Sequence, residues 1–320
     1  MRHSPLRLPL LTYFCQTLGI QVSKIGEFKG HQQSIYSLAV MDESHFLSVG
    51  GEGMLVKWEL NSPDGTLIAK IPEQLFCLAF NPKNQNCAVG TRSGSIYEFN
   101  IESLALQRQW IAHTGSVFDL LYQGDDLLSC GEDGVLKRWK ATETRPDRTL
   151  KLSGKSLRCL FMDEATLWLG GSEGKVWQLS LDTFAILSSF QASQNSVFAL
   201  LMMDNTLFTA GRDAHLHTWK EGTEQNDIAA HWYTIHALSA SPDGSYLATG
   251  SMDKTIKLWN AHTLDLLKVI DHDRHTAHRS SVNKIIWLNN THFISCSDDR
   301  MIYSFEIINH KSKIINTFAP

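Results

Sequence analysis

One motif recurs seven times along this chain, and its spacing leaves little freedom in the fold. The copies are Glu52–Trp58 (EGMLVKW), Ser93–Phe99 (SGSIYEF), Asp133–Trp139 (DGVLKRW), Glu173–Leu179 (EGKVWQL), Asp213–Trp219 (DAHLHTW), Asp253–Trp259 (DKTIKLW) and Asp299–Phe305 (DRMIYSF). Their last residues lie 41, 40, 40, 40, 40 and 46 positions apart. A period near forty means that one supersecondary unit is repeated, each copy burying its apolar face against the next. Trp177 is out of phase, and Leu179 holds the aromatic position of that copy.

Each copy reads as a turn followed by a strand. A carboxylate, or Ser93 in the second copy, precedes a small or polar residue that turns the chain. Alternation then puts every second residue on one face. Upstream lies a strand ending in Ser or Thr, as in Tyr246–Thr249, and before it another, as in Ile235–Ala240. The sequence Ser-Pro-Asp-Gly at 241–244 joins those two with strong turn chemistry. The segment after each aromatic position, such as Leu266–Ile270, supplies a fourth strand. Four short strands per forty residues predict an all-β, seven-bladed β-propeller with four antiparallel strands per blade.

At this point the chain resembles the WD40 family, over residues 22–318. Gly30-His31 and Trp58-Glu59 stand where that family has its Gly-His and Trp-Asp dipeptides. The resemblance rests on phase across seven copies, and it implies a single propeller domain after an N-terminal extension, residues 1–21. The repeats fall at approximately 30–70, 71–111, 112–152, 153–192, 193–230, 231–271 and 272–312. A propeller must join its last blade to its first or leave a vulnerable sheet edge. Residues 22–28 precede the first repeat as a fourth strand precedes each later one, and the family's usual device is such an N-terminal strand. Residues 313–318 are the alternative, and the N-terminal strand is favoured.

The resemblance also implies a structural hydrogen-bond network running from indole through hydroxyl and imidazole to the turn carboxylate. It carries over to Trp139, Ser129, His113 and Asp133 in the third repeat, and to Trp259, Thr249, His231 and Asp253 in the sixth. The seventh keeps His278, Ser295 and Asp299 but ends in Phe305. The fifth has Ser193 at the His position, and the first has Glu52 in place of Asp. A Ser–His–Asp set imitates a hydrolase triad. It recurs at the blade period, whereas a nucleophile is needed once, and no G-x-S-x-G elbow accompanies it. No catalytic residue is therefore expected. Gly154-Lys155-Ser156 ends like a P-loop, but Thr149 stands where the first glycine belongs.

Two places carry functional chemistry. The residue after the first buried position of each inner strand is Tyr36, Phe76, Phe118, Arg158, Phe198, His236 or Asn283. In the resembling family this position often lines the peptide-binding mouth of the top face. Arg92, Glu132, Arg212 and Asp298 lie just before the turn carboxylates. Aromatics with arginine have the composition of an interaction hot spot, so Tyr36, Phe76, Phe118, Arg158, Phe198, His236, Arg92 and Arg212 are expected to bind a partner. The competing expectation is that the aromatics pack between blades. The second place is the long spacing in the last repeat, where Asp271, His272, Asp273, His275 and His278 have ligand-like chemistry. His278 already belongs to the blade network, so this segment is expected to be a loop, with no metal and no cofactor.

Charge and cysteines narrow the rest. Lys plus Arg number 29 against 33 Asp plus Glu, a net charge of −4, which disfavours nucleic acid as the main partner. No apolar run reaches about 18 residues, so no membrane-spanning helix is expected. Arg2 and Arg7 before a mostly apolar stretch from Leu8 to Ile20 loosely resemble a secretory signal, but Pro9 and the lack of a small-x-small site oppose it. None of the six cysteines forms a C-x-x-C pair, and Cys77, Cys130, Cys159 and Cys296 fall in apolar strands, as buried thiols in a reducing compartment would. The expectation is a cytoplasmic, monomeric, non-catalytic scaffold for a protein or peptide partner. The alternative is a propeller enzyme, a metal-dependent hydrolase or lyase, with a central-channel site.

Overall fold

The second strand of each repeat explains the architecture. His45–Gly50, Asn86–Thr91, Asp126–Gly131, Thr166–Gly171, Thr206–Gly211, Tyr246–Ser251 and His292–Ser297 are buried after their first residue. Such strands cannot alternate between core and water. They need cover on both faces, and a ring of packed sheets supplies it. In the computed structural model, which describes residues 20–308, the chain forms seven four-stranded antiparallel sheets. Six take four consecutive strands each. In the first blade these are Ile35–Val40, His45–Gly50, Met54–Glu59 and Thr66–Lys70, from the axis outward.

The seventh blade is composite. Val282–Trp287, His292–Ser297 and Ile302–Ile308 supply its inner three strands, and Gln21–Phe28 its outermost. The pairing runs antiparallel from Gln21 opposite Ile308 to Phe28 opposite Ile302, with a bulge around Ile25. Gly26 leaves room there: a Cβ at this position would come within 2.4 Å of Ser304 Oγ. Residues 1–19 and 309–320 lie outside the described residues, and with them the apolar stretch after Arg7 and the alternative closing segment 313–318.

The core lies between blades. Leu47, Val49 and Leu55 of the first blade pack with Leu75, Leu78, Cys87 and Val89 of the second. Phe46 and Trp58 of the first pack with Phe28, Ile294, Cys296 and Ile302 of the seventh, which joins the ends of the ring. Outermost strands such as Pro146–Lys151 and Thr223–Ala229 are almost wholly exposed. Four of the turns bring the backbone of the next repeat close. Gly134, at φ +68°, would place a Cβ 2.3 Å from the Ser153 carbonyl of the next repeat, which glycine avoids.

The seventh-repeat insertion departs from the expected loop. His272–His275 forms one turn of α-helix, capped by Asp271, whose side chain accepts from the Arg274 N–H. The turn satisfies its own polar groups locally, which a plain loop would leave to water. Among the described residues no helix is long and apolar enough to cross a membrane.

Candidate functional site at the mouth of the ring

The innermost strands do not run regularly at their upper ends. In all seven blades the register shifts at the same place: between Ile35 and Ser37, Leu75 and Cys77, Val117 and Asp119, Leu157 and Cys159, Val197 and Ala199, Ile235 and Ala237, and Val282 and Lys284. The residue inside each bulge is Tyr36, Phe76, Phe118, Arg158, Phe198, His236 or Asn283. A bulge leaves one residue unpaired and re-aims its side chain. Alternation sets these residues on the opposite face from their neighbours, and the bulge re-aims them toward the depression at the mouth.

These seven side chains and Asp298 line one depression of about 330 Å³. Every bulge residue is half-buried, a state between the two that were expected. They touch one another around the rim. Tyr36 meets Phe76 edge-on at 5.3 Å between centroids, and Phe76 stacks on Phe118 at 6.2 Å. The Arg158 guanidinium lies 4.1 Å from the Phe118 ring centre and 5.6 Å from that of Phe198, and Phe198 meets His236 at 5.3 Å. On the far side Asn283 Nδ2 donates to the Ile35 carbonyl at 2.9 Å and to Asp298 at 2.8 Å. The mouth is thus an aromatic arc with a cation set within it and a carboxylate across the ring.

Arg158 is the unusual member. Its Nε donates to Ser172 Oγ at 2.7 Å, and among the described residues it has no ion-pair partner within 4 Å. Burial lowers its pKa, with Glu132 pulling the other way. Arg92 and Arg212 are exposed and stand outside the depression; Arg92 donates to Gln74 at 3.1 Å.

One patch escaped the sequence reading. Trp232 is 85% exposed, Tyr233 61% and Met252 53%, on the turns above the sixth blade. The signal was there: the residues after the repeat's His are Gln32-Gln33, Thr114-Gly115 and Arg279-Ser280 elsewhere, but Trp-Tyr here.

Beneath the mouth the blade networks close. In the third blade His113 Nδ1 lies 2.9 Å from Asp133, His113 Nε2 2.8 Å from Ser129 Oγ, and the Trp139 indole N–H donates to that oxygen at 2.9 Å. The sixth repeats this through His231, Asp253, Thr249 and Trp259 at 2.7–3.0 Å, and the first through His31, Glu52, Ser48 and Trp58. Burial alone would raise the Asp133 carboxyl, but His113 and the backbone N–H groups of Thr114 and Val135 outweigh it and hold it below its usual range. Ser48, Ser129, Thr249 and Ser295 are fully buried, the first three beneath an indole that donates to them. In the last repeat His278 serves the network with Asp299 and Ser295. His272 is 3.0 Å from the Ala277 carbonyl, and Asp271 salt-bridges Arg274, so the His-rich turn is engaged in local bonds.

Comparison with known proteins agrees with this geometry. The family model described as WD domain, G-beta repeat, matches residues 22–59, 222–260 and 272–306. Striatin-3 of Rattus norvegicus is 27% identical over 244 residues, covering 66% of this chain and 30% of that protein. Autophagy-related protein 16 of Arabidopsis thaliana is 23% identical over 259 residues, covering 75% of this chain and 50% of that one. The chain therefore spans about a third to half the length of these relatives. Among solved structures, the WD40 beta propeller domain of Doa1 superposes with a TM-score of 0.80 at 17% identity, over 90% of this chain and 97% of that one.

Proposed function

The chain is a WD40-repeat β-propeller, and from that premise we propose that it is a non-catalytic scaffold whose top mouth captures an acidic side chain of a protein or peptide partner. One observation carries the reading. Arg158 is held between two phenyl rings, half out of water, with no carboxylate among the described residues within ion-pair range. A guanidinium presents donors in a planar fork that fits a carboxylate bidentately. The flanking aromatics supply area at low rotamer cost, and Trp232, Tyr233 and Met252 extend the apolar surface outward over the sixth blade. Asp298, on the opposite rim, would disfavour a second acidic group and so orient the partner. A central-channel enzyme would need converging His, Asp and Glu at the mouth, where aromatics stand instead. A cytoplasmic setting suits the free, buried thiols of Cys77, Cys87, Cys130, Cys159 and Cys296.

The test is quantitative affinity capture by wild type, Arg158→Gln and Phe118→Ala, with thermal stability measured on the same preparations. The expected result is loss of the same bound proteins from both variants. Phe118→Ala should cost on the order of 2 kcal/mol in affinity for a purified partner, with an unchanged melting temperature. A lower melting temperature with unchanged affinity in the folded fraction would assign Phe118 to packing. A partner indifferent to both substitutions would overturn the reading.

A further inference from the structure

The fifth blade lacks the repeat's histidine and carries two others. Ser193 occupies the place of His113 or His231, and its hydroxyl donates to Asp213 at 2.5 Å. His217 lies on the strand His215–Lys220, four residues after the turn carboxylate, where the third and sixth blades have Lys137 and Lys257. Its Nε2 takes up Asp213 Oδ2 at 3.1 Å. The imidazole thus enters the network from the strand instead of from the loop, and its other nitrogen, Nδ1, is turned outward.

What that nitrogen meets is a set of ligands. His215 and His217 are two apart and share one face of the strand, their rings stacked at 5.7 Å. The outermost strand Thr223–Ala229 pairs in a register that sets Asp227 opposite His217. Asp227 Oδ1 contacts His215 Nδ1 and is 3.5 Å from His217 Nδ1, while Glu224 Oε1 is 2.7 Å from that same nitrogen. Ligand atoms of His215, His217 and Asp227 all lie within 4.8 Å of one another. Tetrahedral zinc with bonds of about 2.0–2.1 Å separates its ligands by roughly 3.3 Å, so one ion can reach them with small side-chain movements. Room exists for the rest of its shell: a recess of about 400 Å³ adjoins these atoms, lined also by Ser193, Asn195 and Asp213.

We propose that His215, His217 and Asp227, with Glu224 as a fourth ligand, form a binding site for a zinc-class divalent cation on the side of the fifth blade. Two independent features support it. Imidazole and carboxylate together suit zinc and its first-row neighbours rather than calcium or magnesium. Asp213 holds the far nitrogen of His217, the carboxylate–histidine–metal arrangement that fixes a ligating ring. Binding would replace the protons now shared between the rings and the carboxylates, and would pin the exposed outer strand to its neighbour. His215 and Asp227 are 36% and 50% exposed, so the ion has a way in.

The test uses the full chain, stripped with chelator and titrated with zinc by calorimetry, then with cobalt for its visible absorption. The variants are His215→Ala and Asp227→Asn, both on exposed side chains and outside the Ser193–Asp213 contact. Wild type should bind one equivalent, show the intense absorption of tetrahedral cobalt, and melt at a higher temperature with zinc. Loss of an outer partner typically weakens a metal site about 10–100-fold, and removal of either ligand should weaken it more. No saturable zinc binding by the folded wild type, or affinity unchanged in both folded variants, would overturn the proposal.

Discussion

Removing one hydroxyl in two blades separates two contributions to stability. Ser129 is fully buried; it accepts the Trp139 indole N–H at 2.9 Å and lies 2.8 Å from His113 Nε2. Asp133 takes the Nδ1 side of that ring, so Ser129 O–H is the donor to Nε2. Ser129→Ala therefore strands a donor and an acceptor. Ser295 in the seventh blade is equally buried and lies 2.8 Å from His278 Nε2, but the aromatic position is Phe305, without an N–H. Ser295→Ala strands only the imidazole. A buried group left without a partner costs about 1–3 kcal/mol. Ser129→Ala should then cost roughly 3–4 kcal/mol and Ser295→Ala roughly 2, a gap of about 1–2 kcal/mol that isolates the indole. Among the described residues the indole N–H groups of Trp110 and Trp168 already lack a hydrogen-bond partner, so the fold tolerates such a group and the variant should still fold. The assay is urea unfolding followed by circular dichroism. For a unit of this size a cooperative transition moves by about 1.5–2 °C per kcal/mol, which gives a thermal cross-check. Equal losses in the two variants would refute the assignment of the indole–hydroxyl bond as a stabilising contact.

Further tests address the turns and the acid response. Gly134→Ala should destabilise by more than the roughly 1–2 kcal/mol of left-handed strain alone, because its Cβ also meets the Ser153 carbonyl. Lys254 sits at the equivalent turn position with φ +74° and is exposed, so Lys254→Gly should stabilise by about 0.5–1 kcal/mol in the same denaturation assay; a loss would deny that strain is stored there. At Asp253 burial would raise the carboxyl, but the bond and charge of His231 outweigh it and the group sits well below its usual range. Its contribution is present above the unfolded value near 3.9 and is lost as pH falls below about 4. Burial lowers the His231 pKa against the pull of Asp253, so stability also declines as pH falls through 6.5 toward its folded value. Stability measured from pH 7 to 3 should show both losses in wild type, and Asp253→Asn should flatten the lower one. An unaltered acid limb in that variant would assign it to other carboxylates.

The blades were legible because burial on both faces of every second strand, together with a turn carboxylate at constant phase, leaves few alternatives to a ring. The mouth positions were legible from their common phase in the inner strands, but the bulges that aim them were not. Their orientation comes from seven bulges, and a bulge occupied by Tyr, Phe, Arg, His or Asn has no common residue signature. The His215–His217–Asp227 cluster was hidden for a different reason. Its members lie on two strands, and only the register that sets His217 opposite Asp227 brings them together. Ser193 marked the fifth repeat as irregular, but nothing in a linear reading says that His217 fills the vacancy from the strand. The helical turn after Asp271 carries an N-cap residue, a signal too short to outweigh the absence of any apolar face in that segment.

The composite seventh blade has a kinetic consequence. Gln21 pairs with Ile308, on the order of 280 residues away, whereas every other strand pairs with one adjacent in sequence. Closing a loop of that length costs about 5 kcal/mol of chain entropy before any contact repays it. During synthesis the first six sheets can form in order as they emerge, but the strand Gln21–Phe28 has no partner until Ile302–Ile308 has been made. The earliest strand of the domain is thus the last to find its place. Until it does, Phe28 is uncovered and the edge of Ile302–Ile308 is open to other chains, so folding yield should depend on protein concentration in the final phase while the earlier phases do not.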